Sequence, residues 1–301
     1  MVECTLAILA GVRDTVYAGA IAEHIYRSCR FNFAEVLLVI DDCNFDDSVK
    51  RLAEDRINAL RSAIGENIRI AWISKFLSRK DEIAKKYFGV NIRADRDHRG
   101  IPMFGWIAGL EEAQTDHVLH CDSDILFYQD AESDWVSCAM DLIEKDPSVM
   151  FVAPRPGPPA ANGALLGQSN TFFVDNEGNY RFKTLSSRRF LVRKSRLAAL
   201  LPIQPVYTSW KRRLLMQCGA GNALSPWETC VSEKLQRSKY FRVHLGSSNA
   251  WTLHCPDHSP EWITALPDII AKVESGSYPE KQAGLYDLQL QWWLSEGFAS
   301  E

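Results

Sequence analysis

Short apolar segments alternate with helical segments along the first half of the chain, and this alternation restricts the fold more than any other feature. Residues 4–12, 35–40 and 68–73 are apolar runs with the length of a strand. Residues 17–29 and 48–64 lie between them and are predicted helices, the second with its apolar positions at helical spacing. Strands that alternate with helices build a mostly parallel sheet with helices on its faces. The sequence therefore predicts an α/β fold.

Two acidic pairs follow two of the predicted strands. Asp41 and Asp42 end the second strand, and a later apolar strand leads directly into Asp122 and Asp124. In open α/β sheets, ligands bind beyond the carboxyl ends of the strands. We therefore expect both acidic pairs to face one crevice.

The segment Asp122-Ser123-Asp124 has two carboxylates in alternate positions. They can reach one divalent cation if the strand has already begun to turn, and oxygen ligands suit Mg²⁺ or Mn²⁺. The alternative is that acids at a strand end only cap the turn that follows.

Asp41 and Asp42 also allow two interpretations. A carboxylate at this position could bind a nucleobase or a ribose hydroxyl by charge-assisted hydrogen bonds. The pair could equally begin the turn and cap the helix that starts near Ser48.

Three arginines, Arg93, Arg96 and Arg99, precede a helix predicted at residues 104–113. Arginine side chains can neutralise a diphosphate. Arg99, beside Gly100, is the candidate for that role, whereas Arg93 and Arg96 are interpreted as part of a solvated loop.

Glu228 is the candidate general base. The segment from Ser225 to Glu228, with Pro226 at the first helical position, also has the pattern of a capping box, which explains the glutamate without any chemistry. Both interpretations stay open, because the start of a helix favours an ionised carboxylate and such a group can take a proton from a hydroxyl.

Two histidines, His254 and His258, lie between a predicted strand and a predicted helix. A neutral imidazole could complete a metal shell begun by Asp124. His254 is the first candidate because it directly follows an apolar stretch, while a structural role is the alternative for either histidine.

The composition changes in the second half of the chain. Residues 154–167 contain four prolines and three glycines, which predicts a loop that could lie over the crevice. Basic residues cluster at 188–189, 193–196 and 211–213. Solvated faces are the simplest interpretation of these clusters, and attraction of an anionic acceptor or a lipid surface is the alternative.

Composition also excludes several classes of protein. The net charge of −4 gives no reason to expect nonspecific nucleic-acid binding. The eight cysteines form no C-x-x-C pair, which argues for reduced thiols and against a structural zinc site.

No apolar run is long enough to span a bilayer, and the chain start does not resemble a signal peptide. We therefore expect a cytoplasmic protein, with peripheral contact at the inner face of a membrane as an option.

Taken together, these residues resemble the nucleotide-sugar-dependent glycosyltransferases of the GT-A fold, family 2-like. The resemblance covers about residues 4–258 and rests on Glu35-Val-Leu-Leu-Val-Ile-Asp-Asp42, on Gly100-Ile-Pro ahead of a helix, and on Val118-Leu-His-Cys-Asp-Ser-Asp-Ile-Leu-Phe127. It implies a Rossmann-like, mostly parallel central sheet flanked by helices, with a C-terminal acceptor-side extension.

The resemblance also implies a role for each candidate residue. Glu228 would be the catalytic base of an inverting enzyme. The donor-binding residues would be Asp41, Asp42, Arg99, Asp122, Ser123 and Asp124. The metal ligands would be Asp122, Asp124 and His254, with His258 as the alternative to His254.

The implied activity is metal-dependent transfer of a hexosyl or related sugar, EC 2.4, from a nucleotide-diphosphate sugar of the UDP or GDP type. The metal would be Mn²⁺ or Mg²⁺, and the acceptor a hydroxyl of a carbohydrate, a lipid-linked glycan or a small molecule. Residues 1–258 would form the catalytic domain, with a nucleotide-sugar and metal half (1–130) and an acceptor half (131–258). Residues 259–301 would be a helical extension packed on it.

Other functions compete with this interpretation. A protein that binds a nucleotide sugar without turnover would have the same donor residues. Phosphatases with an aspartyl nucleophile also use an Asp-x-Asp motif, but on the first strand, whereas Asp122 follows about the fourth. A sugar-phosphate nucleotidyltransferase would begin with a glycine-rich phosphate loop, which residues 10–14 do not form.

Overall fold

A nine-stranded sheet crosses the molecule, and a three-stranded sheet packs beside it. The computed structural model describes residues 3–43, 45–64, 68–166, 171–217 and 222–295. The strands are β1 (Cys4–Gly11), β2 (Glu35–Asp41), β3 (Ile68–Trp72), β4 (His117–Asp122), β5 (Ile125–Gln129), β6 (Val149–Ala153), β7 (Arg155–Pro156), β8 (Thr171–Val174), β9 (Tyr180–Phe182), β10 (Arg189–Arg193), β11 (Phe241–His244) and β12 (Ala250–His254). The helices are α1 (Thr15–Cys29), α2 (Asp47–Ile64), α3 (Ile73–Phe76), α4 (Lys80–Phe88), α5 (Gly105–Glu112), α6 (Trp135–Lys145), α7 (Lys194–Leu197), α8 (Trp210–Gln217), α9 (Trp227–Gln236), α10 (Pro260–Glu274) and α11 (Leu290–Ser295).

The large sheet has the strand order β3-β2-β1-β4-β10-β6-β11-β9-β8. The first four of these strands are parallel to one another. Beyond β4 the sheet is mixed, because β10 runs antiparallel to β4 and to β6 while β11 is parallel to β6. The predicted α/β class with a large central sheet flanked by helices is confirmed. The parallel strands β1 to β4 include those that the alternation of strands and helices predicts.

Helices cover both faces of the parallel part of the sheet, as the burial of its strands shows. All seven residues of β2 are buried, as expected for a strand covered by helices on both faces. Leu6 and Ile8 of β1 pack into the core under α1, whereas Ala7 between them faces the core under α5. The alternation of side chains along a strand thus divides the interior into two cores.

The small sheet has the order β5-β12-β7, with β12 antiparallel to β5 and parallel to β7. Part of the predicted loop at 154–167 therefore forms a strand, and the prediction is wrong there. Residues 154–158 are buried, and the Gly157 amide donates to the Thr252 carbonyl at 2.8 Å. Prolines lack the amide donor, so they are tolerated at the edge of a sheet. Gly167 lies outside the described residues.

The basic cluster at 193–196 is also not a solvated face. Arg193 forms ion pairs with Asp116 and Glu144, both at 2.8 Å. Arg196 donates to the Asp146 and Val149 carbonyls at 2.8 and 3.0 Å. These contacts join segments distant in sequence, which a local run of charges does not reveal.

Helix α10 packs against α1 and β5 with the apolar side that contains Trp262, Leu266 and Ile269. The boundary between residues 1–258 and 259–301 stays a prediction. None of the helices in the described ranges is both long and apolar enough to cross a membrane.

A buried histidine joins α1, β5 and α10. Burial lowers the pKa of His24 below its usual value, so the ring is neutral at pH 7. Its Nδ1 lies 2.9 Å from Glu274 Oε1, and its Nε2 accepts from the Phe127 amide at 3.0 Å. With Nε2 as the acceptor, Nδ1–H is the donor to Glu274. Hydrogen bonds from His24 and Arg27 lower the pKa of Glu274 to about 2.

Replacing Glu274 by glutamine is expected to lower the melting temperature by about 2 °C at pH 7, because the hydrogen bonds lose their charged acceptor. The folded-state pKa of Glu274 lies below its unfolded value. The stability from this carboxylate is therefore complete above the unfolded pKa and is lost as the pH falls towards the folded one. The difference between the two proteins should be constant above about pH 5 and shrink below it.

Thermal unfolding followed by circular dichroism from pH 7 to acidic pH measures this difference. Asp268→Asn removes an exposed carboxylate from the same helix and serves as the control. A Glu274→Gln protein that melts like the wild type at pH 7 would contradict the prediction.

Candidate active site

The chain passes from the large sheet to the small sheet at the Asp-x-Asp segment. Asp122 is the last residue of β4, and β5 begins directly after Asp124. The Ser123 amide donates to the Leu9 carbonyl at 2.9 Å, and the Asp124 carbonyl accepts from the Cys255 amide at 2.9 Å. The turn is thus anchored to both sheets, which fixes the direction of its side chains.

Asp124 faces two histidines. Its Oδ2 lies 3.4 Å from His254 Nε2 and 3.6 Å from His258 Nε2. Its Oδ1 is buried and has no hydrogen-bond partner among the residues that the structure describes. Burial opposes ionisation, but the two imidazoles outweigh it and lower the pKa of Asp124 to about 2.

The two histidines are shifted in the opposite direction. Burial disfavours a charged ring at His254, but Asp124 and Asp287 outweigh it and raise the pKa of His254. The hydrogen bond to Asp124 raises the pKa of His258. Asp287 Oδ1 lies 2.7 Å from His254 Nδ1. A proton held on Nδ1 by this carboxylate leaves Nε2 as the atom that faces Asp124.

Asp122 lines a crevice of about 420 Å³, and Asp124 is not among the residues that line it. Its Oδ1 lies 3.3 Å from His120 Nε2. Burial raises the pKa of Asp122, the His120 ring opposes that shift, and the Asp124 charge adds to it. Burial and the second carboxylate together favour a cation in this region.

The crevice joins residues that are far apart in sequence. Of the predicted site residues, it brings together Arg99, Asp122 and Glu228. Arg188 and Asp287, which the sequence analysis did not select, line it as well. Four carboxylates and two guanidinium groups therefore surround one space, in the order Asp97, Arg99, Asp122, Arg188, Glu228 and Asp287 along the chain.

A divalent cation fits this region in part. In the described part of the chain, no group of three or more His, Cys, Asp or Glu side chains is arranged so that it could hold a metal ion by itself. Asp124 nevertheless has a buried Oδ1 without a hydrogen-bond partner, and the imidazole nitrogens of His254 and His258 lie 3.4 and 3.6 Å from its other oxygen. Mg²⁺ usually keeps several waters and is held by one or two carboxylates with substrate phosphates. The donors suit a metal that is shared with a phosphorylated ligand.

Glu228 lies in the first turn of α9. Its Oε2 accepts hydrogen bonds from the Ser187 amide at 3.2 Å and the Ser187 hydroxyl at 3.0 Å. Among the described residues, no hydrogen bond reaches Oε1. The capping-box interpretation is wrong, because Pro226 is the N-cap and no side chain caps this helix. One oxygen of Glu228 is thus held by the protein while the other is free to act.

Asp42 does not line the crevice. Its carboxylate accepts from the Ser74 amide at 2.8 Å, which caps the short helix α3, and pairs with Lys50 at 3.0 Å. The expected cap on the helix near Ser48 comes instead from Asp46, whose Oδ1 accepts the Ser48 amide at 3.0 Å. Asp46 is closer in sequence to that helix and caps it, whereas Asp42 caps α3.

Asp41 lines a second cavity of about 290 Å³, together with Arg96, Phe104 and Asn222. Asp41 Oδ2 accepts from Arg96 at 2.8 Å. The interpretation of Arg96 as part of a solvated loop is therefore wrong, whereas Arg93 is exposed as expected. Pro102 lines both this cavity and the crevice, so the two spaces adjoin.

The two arginines that line the crevice differ in the contacts that their side chains make. The Arg99 side chain is 54% exposed, and its Nε lies 3.4 Å from Asp97. Arg188 contacts His254 and lies 3.3 Å from Asp287. The interpretation as a solvated face is wrong for the neighbouring Arg189, which is buried, whereas 40% of the Arg188 side chain is exposed beside these contacts.

Arg189 is 1% exposed, and its guanidinium lies 4.1 Å above the ring of Tyr286. The start of β10 meets the carboxyl end of β4, because Arg189 pairs with Cys121 in an antiparallel ladder. This pairing brings Arg188 beside the crevice. No sequence signal used above indicates the direction of β10.

Comparison with known proteins adds a likeness of fold. No protein-family model and no curated protein matches the chain. Among solved structures it is similar to GalNAc-T7 with UDP, GalNAc and Mn²⁺, with a TM-score of 0.47 and 11% identity over 84% of this chain and 43% of that one. It is similar to the galactosyltransferase LgtC with donor and acceptor sugar analogues, with a TM-score of 0.43 and 12% identity over 92% of this chain and 98% of that one. For S. aureus TarS the TM-score is 0.43, with 15% identity over 89% of this chain and 39% of that one.

Proposed function

We propose that the protein is a glycosyltransferase that moves a sugar from a nucleotide-diphosphate sugar to a hydroxyl acceptor, with metal assistance and inversion at the anomeric carbon. The observation that supports this most directly is the crevice of about 420 Å³. The carboxylates of Asp122 and Glu228 line it together with the guanidinium groups of Arg99 and Arg188. One carboxylate oxygen of Glu228 has no hydrogen bond among the described residues. Such a displacement requires a carboxylate base and positive charge at the leaving diphosphate, which the guanidinium groups and a bound metal would supply together.

The adjoining cavity provides a place for the nucleoside. Its walls include the apolar side chains of Ile73 and Phe104, which suit the faces of a base, and the polar groups of Asp41 and Asn222, which suit an edge or a ribose. The shared residue Pro102 lets the diphosphate continue from this cavity into the crevice. In this proposal Asp41, and not Asp42, is the residue of the first acidic pair that binds the donor. The donor is a nucleotide sugar of the UDP or GDP type.

Asp122, Asp124 and His254 would hold Mn²⁺ or Mg²⁺, with His258 as the alternative histidine. Bound there, the metal would offset the charge of the departing diphosphate. Arg99 and Arg188 would add hydrogen bonds to the same oxygens. Ser123 fixes the turn through its amide, so its role is to orient both carboxylates.

Glu228 acts as the general base in this proposal. The acceptor hydroxyl gives its proton to Oε1 as its oxygen bonds to the anomeric carbon, and the bond from that carbon to the diphosphate breaks. Ser187 holds Oε2 and so keeps the carboxylate directed into the crevice. The first turn of α9 favours the negative charge of this base.

The Asp124→Asn variant is expected to lose binding of Mn²⁺ and at least about 100-fold in turnover, because it removes the charge between the two histidines. Thermal shift with Mn²⁺, alone and with UDP- and GDP-sugars, measures binding, and donor hydrolysis or transfer measures turnover. Asp141→Asn, at a carboxylate with 70% of its side chain exposed, is the control. Full Mn²⁺ binding and transfer in Asp124→Asn would refute the assignment.

The Glu228→Gln variant is expected to bind the donor as the wild type does and to turn over about 10²- to 10⁴-fold more slowly, because an amide cannot accept the proton. Donor affinity by calorimetry and initial rates separate the two effects. Ser187→Ala should lower the rate by a smaller factor, since it frees the base without removing it. Unchanged turnover in Glu228→Gln would exclude this residue as the base.

Asp287→Asn is expected to weaken Mn²⁺ binding by about tenfold, because partners that orient a ligating histidine typically contribute at that scale. Titration calorimetry with Mn²⁺ alone tests this without reference to activity. Asp287→Glu keeps the charge and should recover part of the affinity. Equal Mn²⁺ affinity in Asp287→Asn and the wild type would show that Asp287 does not position His254.

A further inference from the structure

Helix α8 exposes apolar side chains that the core does not use. Trp210 is 69% exposed and Leu214 is 52% exposed. The chain has nine tryptophans, all within the described ranges, and Trp210 is the one that is exposed. The two residues are four positions apart and so project from the same side of the helix. A tryptophan is seldom left in water to this extent without a partner.

The same helix is basic. Lys211 and Arg212 are exposed between the two apolar residues, and Arg213 follows them in the sequence. The segment Trp210–Gln217 contains no acidic residue. No ion pair to Lys211 or Arg212 occurs in the described part of the chain. The partner of this surface must therefore complement positive charge and apolar surface together.

The position of α8 relates it to the proposed active site. Before the helix, the Thr208 amide donates to the Ala223 carbonyl at 2.8 Å, so the residue two positions ahead of α8 is bonded to Ala223. Next to this place, Asn222 lines the Asp41 cavity, and Pro226 and Glu228 line the crevice. Helix α8 thus begins close in the structure to residues that line the two spaces.

We propose that α8 is an interfacial helix that docks the protein on an anionic membrane surface. Tryptophan and leucine beside lysine and arginine are the combination that inserts at the boundary of headgroups and acyl chains. The negative surface potential of an anionic leaflet attracts the basic residues. A docked α8 holds the crevice at the bilayer surface, where an acceptor anchored in lipid reaches Glu228. This last step, the lipid-linked acceptor, rests on the proposed function.

Co-sedimentation of the full chain with vesicles tests the docking without donor or acceptor. Phosphatidylcholine vesicles with about 30% phosphatidylserine should bind the protein, and pure phosphatidylcholine vesicles should bind it at least about tenfold more weakly. The Lys211→Ala/Arg212→Ala variant should lose about 25-fold in partitioning, since each basic residue near the surface contributes about fivefold. The Trp210→Ser/Leu214→Ser variant should lose at least tenfold.

A matched control comes from helix α2, where Arg51 and Leu52 are also exposed neighbours. Arg51→Ala/Leu52→Ser should bind the anionic vesicles as the wild type does. A second measurement uses vesicles with brominated acyl chains. They should quench part of the tryptophan fluorescence of the wild type, and this quenching should be absent in Trp210→Phe.

The proposal is overturned if the protein does not bind the anionic vesicles, or if the α8 variants bind as well as the wild type. Self-association of the wild type that the Trp210→Ser/Leu214→Ser variant abolishes, without vesicle binding, would make the surface a contact between copies and also overturn it. Vesicle binding by a protein that lacks transferase activity would refute the proposed function and leave the docking surface in place.

Discussion

The largely buried charge of Asp124, whose side chain is 17% exposed, is the constraint on which the arrangement around the crevice depends. A carboxylate removed from water is stable only when hydrogen bonds and opposite charge surround it. His254 Nε2 and His258 Nε2 supply these at 3.4 and 3.6 Å, and the antiparallel pairing of β12 with β5 places His254 opposite Ile125, next to Asp124. The small sheet is thus what permits an acidic turn at the end of β4.

The same constraint extends to the C-terminal segment. The His254 amide donates to the Tyr286 carbonyl, and the Leu288 amide donates to the His254 carbonyl, at 2.9 and 2.8 Å. These bonds place Asp287 against the imidazole. The residues after 258 therefore complete the site through the backbone, although the sequence resemblance ended before them.

The sequence predicted the parts of the structure that local periodicity encodes. Residues 4–72 gave three strands and two helices whose bounds agree with the structure to within a residue or two. Periodicity does not encode which strands pair or in which direction, so the antiparallel β10 and its neighbour Arg188 could not be predicted. Local motifs also compete with distant partners. The pattern from Ser225 to Glu228 satisfies a capping box, yet Ser187, 41 positions away, takes the carboxylate.

The charge of the crevice gives a physical reason for metal dependence in the proposed reaction. Four carboxylates and two guanidinium groups line it, and Asp97 already pairs with Arg99. A diphosphate entering this space meets more negative than positive charge, so it would be repelled at the short distances of a bound donor. A divalent cation beside Asp124 would offset this excess of negative charge and give the unpartnered Oδ1 a partner. In the proposed reaction, donor binding without metal would therefore be unfavourable, because the diphosphate, like the carboxylate of Asp124, needs positive charge beside it.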